Sequence, residues 1–201
     1  MEKLSLTEEI SYIKGSESPL SADVIFIKGN TATWIFDVGA CEDTLNEINS
    51  ISGVKNIIIS HFHGDHSNNL SKIDYNELYV SKYTYKYTEI GTLVDEDLYI
   101  DDGVKLHIFK IPSSHEKGCL GLEINDDLIL LGDSFYPSRK GGKRSYNVQQ
   151  IKAQIDLFSS LKGTRVYLSH DKKPIISKTI AIAFLKKTFA LRDKNKNIIE
   201  L

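Results

Sequence analysis

Three of the six histidines in this 201-residue chain fall within six positions. They form His61-Phe62-His63-Gly64-Asp65-His66. Imidazole and carboxylate are ligands that zinc, iron and manganese accept. In an extended segment, residues i and i+2 point to the same side, so His61 and His63 can grip one ion together. Gly64 permits the chain to turn. Asp65 and His66 then fall after the turn and can face a second ion. At this composition a chance His-x-His-x-Asp-His match is expected in roughly 4 of 10,000 such chains. Burying the cluster without partners would be costly, since unpaired polar groups lose their water.

The strand that must present this cluster is Val54 to Ser60, a nearly continuous apolar run suited to burial on both faces. It leads directly into His61. Upstream, Leu6, Ile10 and Tyr12 alternate with polar neighbours. The runs Ala22 to Lys28 and Thr31 to Asp37 flank Gly29-Asn30, a two-residue hairpin signal. Leu45, Ile48 and Ile51 recur at helical spacing, with Gly53 as the stop. Downstream, a helix is expected to start around Ser67 and a strand near Leu78 to Val80. The tyrosine-rich segment Ser81 to Ile90 carries no clear assignment. Val104 to Ile111 alternates as a strand, and Cys119 to Ile124 with Leu128 to Leu131 predicts a hairpin around Asn125-Asp126-Asp127. Val148, Ile151, Ile155, Phe158 and Leu161 mark a helix, with Ser145 as N-cap and Gly163 as stop. Arg165 to Ser169 predicts a strand into His170, and Ser177 caps a final helix carrying Ile180, Phe184 and Leu185. No repeat or linker interrupts residues 1–201, which are read as a single domain of packed sheets covered by helices.

With these residues in place, the sequence resembles the metallo-β-lactamase superfamily over most of its length. Trp34-Ile35-Phe36-Asp37-Val38-Gly39 resembles the family's early Asp-x-Gly turn. Ile111-Pro112-Ser113-Ser114-His115-Glu116-Lys117-Gly118-Cys119 resembles the segment that supplies a third histidine. Leu131-Gly132-Asp133 resembles the strand end whose carboxylate bridges two metals, and Leu168-Ser169-His170-Asp171 the segment with the last histidine ligand. The resemblance implies an α/β (α+β) fold: a four-layer αββα sandwich of two mixed sheets packed face to face, with helices outside. It implies a first ion on His61, His63 and His115, a second on Asp65, His66 and His170, and Asp133 between them. Two Zn2+ per chain are the expected cofactors, with iron or manganese as alternatives. Asp65 and Asp133 are the expected catalytic residues. Asp37 and Ser60 are expected to orient ligands from behind. The remaining histidine, His107, lies within an alternating strand and is read as a non-ligand. Three departures from the family's common pattern leave every ligand in place: Pro-Ser-Ser-His115 for Pro-Gly-His, Cys119 for Ser, and Ser169-His170-Asp171 for Gly-His-Gly.

The implied chemistry is hydrolysis, in which a dinuclear-metal-bound hydroxide attacks a small ester, lactone, thioester or phosphoester. The alternatives are a mononuclear-iron persulfide dioxygenase using His61, His115 and Asp133, and a non-catalytic binding protein. The basic run Arg139, Lys140, Lys143 and Arg144 around Gly141-Gly142 follows Asp133 closely. Arg139, Arg144 and Tyr136 are therefore candidate substrate contacts, for a substrate that carries negative charge. Composition narrows the partners. Lys and Arg number 25 against 27 Asp and Glu, a net charge of −2, so no basic excess favours nucleic acid or an anionic membrane. No apolar run reaches the ~18 residues of a transmembrane span. The polar N-terminus is not read as a signal peptide, and two cysteines make no disulfide framework. A cytoplasmic protein acting on a small molecule is the expectation.

Overall fold

The computed structural model describes residues 3–201; Met1 and Glu2, the start of the polar N-terminal segment, lie outside the described residues. A first sheet has seven strands in chain order. They are β1 (Lys3–Ser5), β2 (Ile10–Ile13), β3 (Val24–Lys28), β4 (Thr33–Phe36), β5 (Lys55–Ile58), β6 (Glu77–Val80) and β7 (Thr92–Leu93). The sheet is antiparallel to β4 and parallel beyond it. A second sheet of six strands is built from β8 (Leu98–Asp101), β9 (Lys105–Ile111), β10 (Cys119–Ile124), β11 (Leu128–Leu130), β14 (Arg165–Tyr167) and β15 (Ile175–Ser177). Its β11–β14 pair is parallel and the others are antiparallel. A small third sheet joins β12 (Ser138–Lys140), β13 (Lys143–Asn147) and β16 (Ile198–Glu200). The helices are α1 (Glu42–Ser50), α2 (Gly64–Ser67), α3 (Lys82–Thr88), α4 (Val148–Ser160) and α5 (Lys178–Ala190).

Strand alternation divides the apolar residues among three layers of core. In β3 and β4, Ile25, Ile27, Trp34 and Phe36 face the second sheet, where they meet Leu106, Ile108, Leu120, Leu122 and Leu130. Their neighbours Val24, Phe26 and Ile35 face outward and pack with Ile48 of α1. Ile129, Leu131, Val166 and Leu168 turn to the other side, where Ile151 and Phe158 of α4 and Ala181 and Leu185 of α5 cover them. The result is a four-layer αββα sandwich. Each buried Leu, Ile or Phe contributes about 1.5–3 kcal/mol relative to exposure.

Several expectations are corrected by contacts distant in sequence. Gly29-Asn30 is not a two-residue hairpin turn, because Lys28 pairs with Thr33 and leaves a four-residue loop. That loop wraps the Asp102 carboxylate, which accepts from the backbone N–H of Thr31 and Ala32, the Thr31 hydroxyl and the Trp34 indole. The helix after the histidine cluster starts at Gly64, not near Ser67, and Gly64 turns the chain without a positive φ. The tyrosine-rich segment is α3, capped by Ser81. Asn147 rather than Ser145 caps α4, its side chain accepting from Gln149 and Gln150 N–H, because Ser145 is drawn into β13 opposite Glu200. On α5 the buried positions are Ala181, Leu185 and Thr188, while Ile180 and Phe184 are exposed. Ser177 caps α5 as expected. No helix among the described residues is long and apolar enough to cross a membrane.

Candidate metal centre

The predicted ligands are carried by the loops at one end of the sandwich. The turn 61–66 follows β5 of the first sheet. His115 follows β9, Asp133 follows β11 and His170 follows β14, all of the second sheet. Because β11 and β14 are parallel, with Leu130 opposite Tyr167, their C-terminal ends deliver Asp133 and His170 side by side. The sheets are tied together here: Leu120 N–H donates to Ser60 O at 2.7 Å, and Asp23 N–H to Ser169 O at 3.4 Å.

Two groups of side chains converge. In the first, His63 Nδ1 lies 3.0 Å from His61 Nε2 and 3.1 Å from His115 Nε2. Three nitrogens so spaced suit one small cation, since tetrahedral bonds of ~2.0–2.1 Å imply edges of about 3.3–3.4 Å. The second group is Asp65, His66, Asp133 and His170. His170 Nε2 is 3.2 Å from Asp65 Oδ2 and 3.4 Å from Asp133 Oδ1. His66 Nε2 is 3.5 Å from Asp65 Oδ2 and 3.3 Å from Asp133 Oδ1. Asp133 faces both groups: its Oδ1 lies in the second, and its Oδ2 is 3.5 Å from His115 Nε2 of the first.

The chain also dictates which ring nitrogen of each buried histidine is free. Asp37 follows β4 and Ser60 follows β5, neighbouring parallel strands that pair Phe36 with Ile58. Asp37 Oδ1 accepts from Ser60 N–H at 2.7 Å, and Oδ2 accepts from the Ser60 hydroxyl at 2.8 Å. His66 Nδ1–H donates to the same Oδ2 at 2.7 Å. The Ser60 proton is thereby committed, so Ser60 Oγ accepts from His61 Nδ1–H at 3.0 Å. Both imidazoles are left with Nε2 lone pairs directed into the site. His66 Nε2 and Asp133 Oδ1 are buried without a hydrogen-bond partner. A set of acceptors facing one another suits a cation, and the residues present fit one in each group. Gly132 makes this packing possible. Its φ is +51°, and a Cβ there would stand 2.5 Å from Ser60 Oγ.

Charge states follow from the same surroundings. Burial, helped by the neighbouring His66 and His63, holds His61 well below the usual imidazole range. Burial likewise lowers His115 despite Asp133. Both are therefore neutral and ligand-competent. Burial opposes ionisation of Asp65 and Asp133, but the histidines outweigh it: His170 and His66 bring Asp65 down to about 2, and His66 chiefly lowers Asp133. His66 and His170 move the other way. Burial disfavours their charge, yet Asp37 and Asp133 lift His66 and Asp65 lifts His170. Cys119, close by, is buried and its thiol is pushed up to about 12, so it offers no thiolate.

A cavity of about 700 Å3 opens onto His63, Asp65, His115 and His170. Tyr136 and Arg139 line it, whereas Arg144 stands opposite Arg139 in register but is outside the lining. The Tyr136 hydroxyl donates to Asp171 Oδ2 at 2.9 Å, so its one proton is directed away from an incoming substrate. His107 lies elsewhere, between Asp97 at 3.0 Å and Glu123 at 3.3 Å. Sequence reasoning missed Asp23, which anchors the cavity wall by accepting from Gly15 N–H at 2.6 Å and the Tyr167 hydroxyl at 2.8 Å. It also missed Glu116, 3.8 Å from His63 Nε2, and Asp171. Adjacency to His115 and His170 was the available signal for the last two; Asp23 had none.

No family model matches the sequence, and no curated protein matches it. Solved structures do. A metallo-β-lactamase from Pontibacter korlensis superposes with a TM-score of 0.68 at 14% identity, over 92% of this chain and 98% of that one. An archaeal metallo-β-lactamase superfamily protein from Sulfolobus tokodaii gives 0.62 at 16%, over 95% and 90%. A chemotaxis sensor, ODP, described as a peroxy diiron species, gives 0.68 at 12%, over 96% of each chain. The chain has the metallo-β-lactamase fold.

Proposed function

We propose that the protein is a metal-dependent hydrolase with a dinuclear centre, acting on a small ester, lactone, thioester or phosphoester. The observation that carries this reading is the placement of Asp133, with one carboxylate oxygen toward each ligand group. His61, His63 and His115 would hold one ion, and Asp65, His66 and His170 the other. Two divalent ions, zinc being the expected pair, supply a water that ionises near neutral pH and a Lewis acid for a carbonyl or phosphoryl oxygen. The chain's own contribution is orientation and proton handling. Asp37 and Ser60 fix the tautomers of His66 and His61, which keeps ligand lone pairs aimed inward. Asp65, ionised and held by His170, is placed to accept a proton and return it to a leaving group. Tyr136 and Asp171 brace the wall beside His170.

The mononuclear iron alternative needs only His61, His115 and Asp133. It gives no role to the convergence of Asp65, His66 and His170. Since a diiron protein shares the fold, metal identity is tested separately. The decisive experiment is an activity panel on the metal-replete protein, across lactone, thioester, phosphodiester and β-lactam substrates, with metal analysis in parallel. Turnover lost on chelation and restored by zinc supports the reading. One iron per chain with oxygen uptake on a persulfide, and no hydrolysis, overturns it.

A further inference from the structure

We infer that the β12–β13 hairpin is an anion clamp, in which Arg139 and Arg144 receive a carboxylate or phosphate remote from the bond that is cleaved. The inference rests on the metallo-hydrolase reading for the other end of the substrate. It names the chemistry of this end.

The basic run is not a loose loop. Gly141 and Gly142 have φ of +57° and +76°, the two positive values of a tight hairpin turn. The register sets Arg139 opposite Arg144 and Lys140 opposite Lys143. Directly opposed residues of an antiparallel pair project from the same face. The two guanidiniums therefore share one face and the two ammonium groups the other. Like charges so opposed destabilise a hairpin, and this one carries two such pairs in succession. Lys143 has Glu200 at 3.7 Å. Among the described residues, neither guanidinium makes a hydrogen bond or ion pair. Arg139 lines the cavity together with His63, Asp65, His115 and His170, and Arg144 stands opposite it on the same face of the strand pair, outside that lining.

Lys172 also lines the cavity, and it too has no hydrogen-bonded or ionic partner among the described residues. The wall's carboxylates are largely engaged. Asp171 takes the Tyr136 hydroxyl, and Asp23 takes Lys14, Tyr167 and the Gly15 N–H, leaving Glu17. The hairpin is anchored, since β13 pairs with β16 and Leu201 N–H donates to Arg144 O at 3.0 Å. Two planar guanidiniums suit the fork geometry of an oxyanion, and the anchored strand pair leaves only their side chains to be ordered on binding. A cavity of about 700 Å3 is the size of a small-molecule site. The substrate class is thus a small molecule with a scissile group at one end and an anion at the other.

The test uses the zinc-loaded full chain and calorimetry. The probes are propionohydroxamate, which offers only a metal-binding head, and the monohydroxamates of succinate, glutarate and adipate, which add a carboxylate at increasing reach. At least one acidic probe should bind about 10-fold tighter than propionohydroxamate at low salt, an advantage that shrinks as salt rises. Arg139→Ala/Arg144→Ala should abolish the advantage while leaving propionohydroxamate affinity unchanged. Arg139→Lys/Arg144→Lys should restore part of it, and Lys140→Ala/Lys143→Ala on the other face should preserve it. Equal binding of all probes to the parent protein, or an advantage that survives the double alanine variant, overturns the clamp. Failure of propionohydroxamate itself to bind overturns the metal-centre reading, and the clamp with it.

Discussion

Asp37→Asn is the sharpest perturbation of the site that leaves its shape alone. Asp37 is fully buried, with φ of +59°. Asparagine tolerates that left-handed conformation, whereas alanine would add roughly 1–2 kcal/mol of backbone strain. The amide must still accept from the Ser60 N–H, as Oδ1 does at 2.7 Å. Its NH2 then occupies the place of Oδ2, facing His66 Nδ1 and the Ser60 hydroxyl. An NH2 can only donate, so His66 Nδ1 must become an acceptor. The imidazole proton moves to Nε2, the atom that lies 3.3 Å from Asp133 and would hold the second ion. The Ser60 hydroxyl loses its acceptor at the same time. One orphaned buried donor costs about 1–3 kcal/mol of stability. The wrong tautomer should weaken the second ion by about 10–100-fold or more. The first ion should lose less, because His66 is not among its ligands and His61 feels Asp37 only through Ser60. Zinc titration against a chromophoric chelator, resolving two affinities, measures both effects, and urea denaturation of the metal-free protein measures the stability change. Two unchanged affinities in the variant would refute the tautomer argument.

The remaining expectations separate roles within the chain. Asp133→Ala should lower metal content and turnover together, measured by metal analysis and kcat. Asp65→Asn should chiefly lower kcat with metal still bound, and a metal-loaded variant at full rate would remove its proton-handling role. Gly132→Ala should cost at least about 1–2 kcal/mol from the φ of +51° alone, and should weaken the first ion by displacing Ser60 from His61. Burial opposes ionisation of Asp102, but Trp34, Thr31 and Ala32 together hold its carboxyl below the usual range. Its contribution is therefore complete above the unfolded value near pH 4 and is lost as pH falls through the folded value. The stability gap between the parent and Asp102→Asn should be full at pH 6 and narrow below about pH 4 in denaturant titrations.

The site was legible because its ligands are rare residue types at strand ends. His61 and His63 share a side by simple alternation, and β5 presents them because an apolar strand must stop where polar residues begin. The alternation around β2 and in β9 likewise forecast strands there. What escaped the sequence depends on partners far along the chain. The loop at Gly29-Asn30 takes its form from Asp102, some seventy residues away. The start of α4 shifts to Asn147 because β16, near the far end of the chain, pairs with β13. The same pairing turns a stretch that reads as a basic loop into a hairpin with assigned faces. Asp23 anchors the cavity through Tyr167, a contact with no local signature.

In the proposed centre seven side chains hold two ions, with Asp133 between them. Anomalous diffraction at the zinc edge, from crystals of the zinc-reconstituted protein, tests it most directly. Two peaks are expected at one end of the sandwich, about 3.5–4 Å apart. One should be bonded to His61, His63 and His115 and the other to Asp65, His66 and His170, with a carboxylate oxygen of Asp133 on each. A single peak at full zinc occupancy, or two peaks that Asp133 does not join, would contradict it.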